Sequence, residues 1–353
     1  MSALKTPLPW QQDAWHGLVA RLESGRLPHA LLVRGQTGLG KLLFATAFAE
    51  YALCREPKAG LACGGCRSCT QFRAGTHPDF MRVELEERDG KAGEEGQLKS
   101  AISVDQVRAL ISALQLSSSQ VAGRKVALIE PAELMSTAAA NSLLKTLEEP
   151  PAGTLILLVT AAPSRLPATV RSRCQALPLA APPVEQALAW LTTQSARPDW
   201  PMLLAFAGGA PLAALALAES GISARRVAFF GALARLREGA ANPVQLAVHP
   251  KEAYPELLRL LWSFTSDLIL LKTAGNSVPL ANHDQLALLQ KAAEGIHLRS
   301  LYGYLDRIQA ALQALETPLN RELAFSVLLS DWADGLGELE RAPLASRTTW
   351  GAA

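Results

Sequence analysis

The chain has 353 residues, 49% hydrophobic and 19% charged, so it can bury a sizeable core and extensive disorder is not expected. At about 150 residues per domain, this length predicts two or three domains. The 34 Lys and Arg residues against 32 Asp and Glu leave a net charge of +2, which argues against a protein that binds nucleic acid mainly by bulk charge.

The first ten residues contain no apolar segment typical of a signal peptide. The longest uncharged run, 200–218, is interrupted by prolines and glycines and is a poor candidate for a membrane span. We therefore expect a cytoplasmic protein with no membrane partner. Five cysteines, an odd number, argue against a disulfide framework.

The first half of the chain alternates short apolar runs with helical segments. Buried strands are predicted at residues 30–33, 126–129 and 155–159. Helices are predicted at residues 41–53 and 132–149. Near-continuous apolar strands separated by helices indicate an α/β module with a parallel sheet covered on both faces. The charged, glycine-rich segment 84–99 predicts a solvated loop, and residues 177–183 predict a linker.

Beyond residue 183 the strand pattern stops and only helical patterns follow. Residues 184–217 predict small helices around a break at Gly208 and Gly209. Two leucine-rich stripes at helical spacing run from Leu257 to Leu271 and from Leu301 to Leu315. We interpret both stripes as the core faces of a helical bundle.

Residues 35–41 match the phosphate-loop pattern G-x-x-x-x-G-K, and they lie between a predicted strand and a predicted helix, as this motif requires. Gly35, Gly38 and Gly40 allow backbone N–H groups to turn toward a phosphate, and Lys41 can reach its outer oxygens. These four residues are the candidate nucleotide-binding residues.

This loop lacks the parts that phosphoryl transfer needs. Leu42 stands where a hydroxyl would bind Mg²⁺, and Pro131 follows Glu130 where a second acid would polarise water. ATP or ADP binding therefore stays open as a weak or vestigial property. We expect very poor hydrolysis and no intrinsic catalysis.

Four cysteines, Cys54, Cys63, Cys66 and Cys69, form the pattern C-x8-C-x2-C-x2-C. Four soft ligands at this density suit a tetrahedral Zn²⁺ with no open position, so the metal would be structural. An iron–sulfur cluster is the alternative, because C-x2-C-x2-C also occurs in such sites. Cys174 is distant and is assigned no role.

Two arginines, Arg171 and Arg173, follow the third predicted strand. The simpler interpretation is a solvated surface patch. In a ring of nucleotide-binding modules, however, an arginine here can reach a neighbour's γ-phosphate and stabilise the charge of the transition state. Arg173 is therefore a candidate catalytic residue, acting in trans as an arginine finger.

Several segments together carry a family resemblance. They are the phrase N-S-L-L-K-T-L-E-E-P-P at 141–151, the triplet Ser172-Arg173-Cys174 and the cysteine cluster. With these segments the chain resembles bacterial clamp loader subunits of the AAA+ class. G-T-H-P-D at 75–79, the degraded acidic motif and L-N-R-E-L at 319–323 make it similar to the delta-prime family of DNA polymerase III, over nearly the whole chain.

The resemblance implies a three-domain protein. Residues 1–179 would form an AAA+ module with a four-cysteine zinc insert, 180–222 a small helical lid, and 223–353 a helical collar that joins a five-member ring. The gamma/tau subunits would hydrolyse ATP, with Arg173 acting on one of them, and delta would complete the ring. The assembly would load a sliding clamp onto primed DNA. Leu212 occupies the position where ATPase relatives carry a nucleotide-sensing arginine.

Two other functions account for only part of the sequence. A self-sufficient AAA+ ATPase of the gamma/tau type is disfavoured by Leu42 and Pro131. A zinc-dependent nucleic-acid-binding module without a ring is disfavoured by the helical C-terminal half and by the Ser-Arg-Cys triplet. We therefore expect a non-hydrolysing clamp loader subunit.

Overall fold

The computed structural model describes residues 7–86, 100–116, 123–250, 253–275, 280–315 and 320–337. Its first half contains a five-stranded sheet in which every paired strand is parallel, in the order β2-β3-β4-β1-β5. The strands are β1 (Ala30–Arg34), β2 (Phe80–Val83), β3 (Lys125–Ile129), β4 (Thr154–Thr160) and β5 (Gln175–Pro178).

Helices cover both faces of this sheet. They are α1 (Gln12–Glu23), α2 (Lys41–Leu53), α3 (Arg67–Arg73), α4 (Val104–Gln115), α5 (Thr137–Glu148) and α6 (Ala168–Arg171). Because side chains alternate along a strand, Leu31 of β1 packs in the core with Phe44 of α2, while Leu32 packs on the opposite face with Leu143 of α5. Two buried faces require apolar residues at every position, which explains the continuous apolar runs of the sequence.

The remaining described residues are helical. The helices are α7 (Val184–Gln194), α8 (Trp200–Phe206), α9 (Pro211–Glu219), α10 (Ile222–Arg237), α11 (Pro243–Ala247), α12 (Tyr254–Ala274), α13 (Leu286–Ala293), α14 (Leu298–Ala314) and α15 (Arg321–Ala333). Phe230, Phe264, Tyr304 and Trp332 are buried and form a chain of ring contacts that joins α10, α12, α14 and α15. An α/β module followed by an all-α region is the architecture that the sequence predicted.

The described residues fall into two compact units. The first lies within residues 1–190 with 209–213, and the second within 191–208 with 214–353. The finer division into three domains at residues 179 and 222 stays a prediction. Within the described ranges no single helix is long and apolar enough to cross a bilayer, although α8 and α9 pass that test as a bent pair.

The structure differs from the sequence predictions at three places. The predicted helix 132–149 is divided into a short 3-10 helix at Ala132–Leu134 and α5, because Ser136 caps α5 by accepting a hydrogen bond from the Ala139 N–H. The edge strand β2 was missed, and β5 occupies the start of the predicted linker. Of the predicted loop 84–99, residues 87–99 lie outside the described residues, as does Leu319.

Candidate functional site

The phosphate loop connects β1 to α2, as its pattern predicts, and Lys41 is the first residue of α2. The Lys41 side chain is turned into its own loop, where Nζ donates a hydrogen bond of 2.9 Å to the Gln36 carbonyl. Burial lowers the pKa of Lys41, and the nearby carboxylates of Glu133 and Glu130 act in the opposite direction.

The phosphate loop is in contact with the start of α9. The N–H of Leu212 donates to the Gly38 carbonyl at 3.1 Å. A Cβ placed on Gly38 would lie 2.4 Å from the Cβ of Ala213, and Gly38 has a φ of +84°. Gly38 is therefore required both by its backbone conformation and by the close approach of Ala213. This glycine of the phosphate loop is packed against protein.

Trp10 and Gln11, near the N-terminus, donate hydrogen bonds to the phosphate loop. Gln11 is fully buried, and its Nε2 donates to the carbonyls of Leu39 and Gly40 at 2.9 and 3.1 Å. Trp10 Nε1 also donates to the Leu39 carbonyl, at 3.1 Å. These bonds satisfy loop carbonyls internally and fix the loop in this conformation.

The position after the lysine does not fit a magnesium ion. The Leu42 side chain is apolar and packs against the core on the α2 face of the sheet. Past β3, Glu130 is followed by Pro131, and burial raises the pKa of Glu130. Glu133 accepts a hydrogen bond of 3.0 Å from the Ala161 N–H and bridges the ends of β3 and β4. Nothing in the sequence had singled out this residue. The residues present do not supply the hydroxyl that Mg²⁺ needs here.

The four clustered cysteines meet at one point. Their sulfurs all lie within 4.8 Å of one another, with 4.0 Å between Cys54 and Cys66, and none forms a disulfide. Four sulfurs at about 2.3 Å from a tetrahedral zinc would be roughly 3.8 Å apart, so this donor set fits the metal. The cluster could hold a metal ion such as zinc.

Backbone donors surround the sulfurs of this cluster and favour a thiolate at Cys66. The N–H groups of Cys63 and Cys66 donate to the sulfurs of Cys54 and Cys63, each at 3.3 Å. Burial raises the pKa of the Cys66 thiol, but N–H donors from Cys69 and Arg55 outweigh burial and bring this pKa to about 6. A thiolate is the form that binds metal.

His77 connects the cysteine insert to the sheet. Its Nδ1 accepts the Asp79 N–H at 3.1 Å, so its Nε2 carries the proton and donates to Ser68 Oγ at 2.8 Å. Ser68 Oγ in turn donates to the Leu53 carbonyl at 2.6 Å. The side chains of His77, Ser68 and Asp79 are all buried, and burial lowers the pKa of His77. This arrangement ties α3 to the end of α2.

Arg173 lies between α6 and β5 on the surface. Its Nε donates to Glu148 Oε1 at 2.7 Å and its Nη2 contacts the same oxygen, while Nη1 donates to the Thr169 carbonyl at 2.9 Å. About a third of its side chain is exposed. Glu148, the last residue of α5, was not singled out from the sequence. Glu148 and Glu149 lie at the C-terminus of α5, where negative charge is unfavourable because of the helix dipole. This pair of acids in the sequence indicates that a cationic side chain lies nearby.

Arg173 and the phosphate loop lie at opposite ends of two neighbouring strands, β5 and β1. The loop follows the carboxyl end of β1, whereas Arg173 precedes β5, whose Gln175 pairs in parallel with Leu31 near the amino end of β1. At about 3.3 Å per residue, the five residues of β1 span roughly 17 Å from its amino end, near Arg173, to its carboxyl end, where the loop begins. Arg173 therefore cannot reach a phosphate in the loop of its own subunit.

Sequence comparisons identify the family. A family profile described as "DNA polymerase III, delta subunit" matches residues 10–183, and one described as "DNA polymerase III, delta subunit, C terminal" matches residues 222–334. The DNA polymerase III subunit delta' of Pseudomonas aeruginosa is 35% identical over 92% of this chain and 97% of its own length. The chain belongs to the delta-prime family of DNA polymerase III.

Two further relatives refine this assignment. The delta' subunit of Escherichia coli is 35% identical over 91% of this chain and 93% of its own length. The DNA polymerase III subunit tau of Salmonella typhimurium is 33% identical, but over only 50% of this chain and 25% of its own length. This delta-prime family member is thus related to delta' along almost its full length, and to tau over about half of it.

Proposed function

We propose that this delta-prime family member is a clamp loader subunit of DNA polymerase III that lends Arg173 to a neighbouring ATPase subunit and turns over no nucleotide itself. One observation carries the proposal: the phosphate loop has Lys41 bonded to its own backbone and Leu42 in place of a magnesium ligand, while the partly exposed Arg173 lies at the opposite ends of the strands.

The contacts around the loop argue against an intrinsic ATPase. To reach a phosphate in the cradle, Lys41 would have to leave the Gln36 carbonyl. Even then, Leu42 would offer no ligand to the magnesium ion. Nucleotide binding by the isolated chain is therefore expected to be weak or absent, and hydrolysis negligible.

The position of Arg173 supports action on another subunit. An arginine contributes to phosphoryl transfer by adding positive charge beside the γ-phosphate in the transition state. Since Arg173 is far from its own loop, that phosphate has to belong to a neighbour. In the proposed assembly, a hetero-pentameric ring with gamma/tau and delta subunits, the neighbour is a gamma or tau subunit. The ring would place a sliding clamp on primed DNA.

The decisive experiment changes Arg173 to Ala in a loader reconstituted from this chain with gamma (or tau) and delta subunits. Turnover at the site that Arg173 serves should fall by about 10³-fold, which appears as the loss of that site's share of total ATP hydrolysis. Ring assembly, measured by size-exclusion chromatography with light scattering, should be unchanged.

Arg171→Ala is the matched control, because Arg171 is an exposed arginine of the same segment, two residues away. It should leave hydrolysis unchanged. Equal hydrolysis by the Arg173→Ala and wild-type loaders would refute the arginine finger. ATP hydrolysis by the isolated chain at rates ordinary for AAA+ ATPases would favour the self-sufficient ATPase instead.

We further propose that the cysteine cluster binds a structural zinc ion. The thiol donor set and sulfur spacing support this choice, and four protein ligands would leave no position for a substrate. Metal analysis of the purified chain should find about one zinc per chain, since four thiolates form one closed site. Iron with visible absorbance would overturn the assignment in favour of an iron–sulfur cluster.

A further inference from the structure

We propose that Glu148 is a positioning residue that holds Arg173 against its own subunit until a neighbour's nucleotide competes for the guanidinium. This inference rests on the function proposed above. The motifs assign Arg173 a role but assign none to Glu148, and the geometry of their contact points to competition between a carboxylate and a phosphate.

The guanidinium is engaged on both of its edges. Along one edge, Nε and Nη2 both contact Glu148 Oε1. Along the other edge, Nη1 donates to the Thr169 carbonyl at 2.9 Å and contacts Ser172 Oγ at 3.4 Å. A guanidinium binds a phosphate most strongly with two N–H groups of one edge. In this conformation neither edge is open for such a contact.

The contact with Glu148 also removes charge from the group. A guanidinium paired with a carboxylate presents almost no net positive charge to a third partner, and the carboxylate would repel an approaching phosphate. Glu148 therefore has to separate from Arg173 before the arginine can stabilise the transition state. A γ-phosphate with its larger negative charge is a competent competitor for the guanidinium.

The pair is weak enough to be released. The side chain of Glu148 is 50% exposed and that of Arg173 is 35% exposed. Ion pairs in such positions contribute at most about a factor of five to an equilibrium, about 1 kcal/mol. Glu148 can thus reduce the fraction of competent Arg173 by up to about fivefold, and a bound phosphate easily offsets that factor.

The first test uses the full-length isolated chain and the arginine reagent phenylglyoxal, with modification at Arg173 measured by mass spectrometry. Glu148→Gln should accelerate modification of Arg173 by up to about fivefold relative to wild type. Glu149→Gln is the control, because it removes the adjacent exposed carboxylate but not the one that contacts Arg173. It should leave the rate unchanged. Equal rates for Glu148→Gln and wild type would overturn the proposal.

The second test measures ATP hydrolysis by the reconstituted loader without clamp or DNA. Glu148→Gln should raise turnover at the site served by Arg173 by up to about fivefold, and the Glu148→Gln/Arg173→Ala double variant should match Arg173→Ala. A lower or unchanged rate in Glu148→Gln would overturn the role of Glu148, even where Arg173→Ala lowers hydrolysis as proposed. If Arg173→Ala has no effect, the arginine finger itself fails, and the phenylglyoxal rates still report the contact separately.

Discussion

The phosphate loop and the Arg173 segment each carry a basic side chain at one end of a strand of the same sheet, yet the surroundings of the two side chains differ. Lys41 is 8% exposed, and its ammonium group bonds to a carbonyl of its own loop. The side chain of Arg173 is 35% exposed and is held by one half-exposed carboxylate and by the Thr169 carbonyl. The first group is buried and has to leave its own loop to meet a ligand, whereas the second is partly exposed and its ion pair is weak.

This difference shows that a motif and the availability of its side chains are separate properties. The phosphate loop is the more conspicuous motif, but Leu212 and Gln11 donate hydrogen bonds to its carbonyls, Ala213 packs against Gly38, and Lys41 bonds to the backbone of its own loop. The short segment around Arg173 carries no metal ligand and no phosphate cradle. In the function proposed above, this segment acts through a charge that it presents to another subunit.

The largest expected effect concerns the cysteine cluster, which begins directly after α2 and so anchors the helix that starts at Lys41. If the cluster holds the zinc ion proposed above, Cys69→Ser should remove it and lower the free energy of unfolding by more than about 3 kcal/mol, because binding of a structural metal contributes directly to folding. Urea unfolding and metal analysis together provide the measurement.

Cys174→Ala is the control for this substitution. Cys174 is also buried, but it packs in the core on the opposite face of the sheet, outside the cluster. It should keep one zinc per chain and lose only about 1 kcal/mol as a small cavity change. Full zinc content in Cys69→Ser would show that the four thiols do not act as one site.

The next largest effect concerns the packing of Ala213 against Gly38 of the phosphate loop. Gly38→Ala should lower the free energy of unfolding by about 2–4 kcal/mol, because a methyl group there adds overlap with Ala213 to the strain of a positive φ. Gly75→Ala is the matched comparison: its φ is +70°, but nothing lies within 4 Å of its added Cβ. It should cost only about 1–2 kcal/mol. Equal losses in thermal or urea unfolding would mean that α9 does not press on the loop.

Much of the α/β unit was predictable because its signals are local. Strands buried on both faces must be apolar at each position, so β1, β3 and β4 were placed to within a residue. The short edge strand β2 has a half-buried Met81 and an exposed Arg82, and β5 ends in Pro178. Edge strands are apolar on fewer positions, which is why neither was found.

The candidate site was predictable only in part, for a related reason. The cysteine spacing reports a ligand set directly, and the structure brings those four side chains together. The packing against Gly38 of the phosphate loop comes from Ala213, which is 175 residues from Gly38 in the chain and has only a methyl side chain. Such a contact has no local signature, since it requires only a small residue at the right place in three dimensions.

The smallest effect is a pH dependence that comes from the buried ammonium of Lys41. Its pKa is lowered in the folded chain, so between that lowered value and 10.5 the unfolded chain binds more protons than the native one. The free energy of unfolding therefore gains a contribution that rises with pH in this window, and Lys41→Met lacks it. Urea unfolding from pH 7 to 10.5 should show wild type gaining stability relative to Lys41→Met as the pH increases. Parallel curves for the two proteins would mean that the Lys41 ammonium is as well hydrated as an exposed one. Lys41 would then be accessible to water, and the contrast with Arg173 would fail.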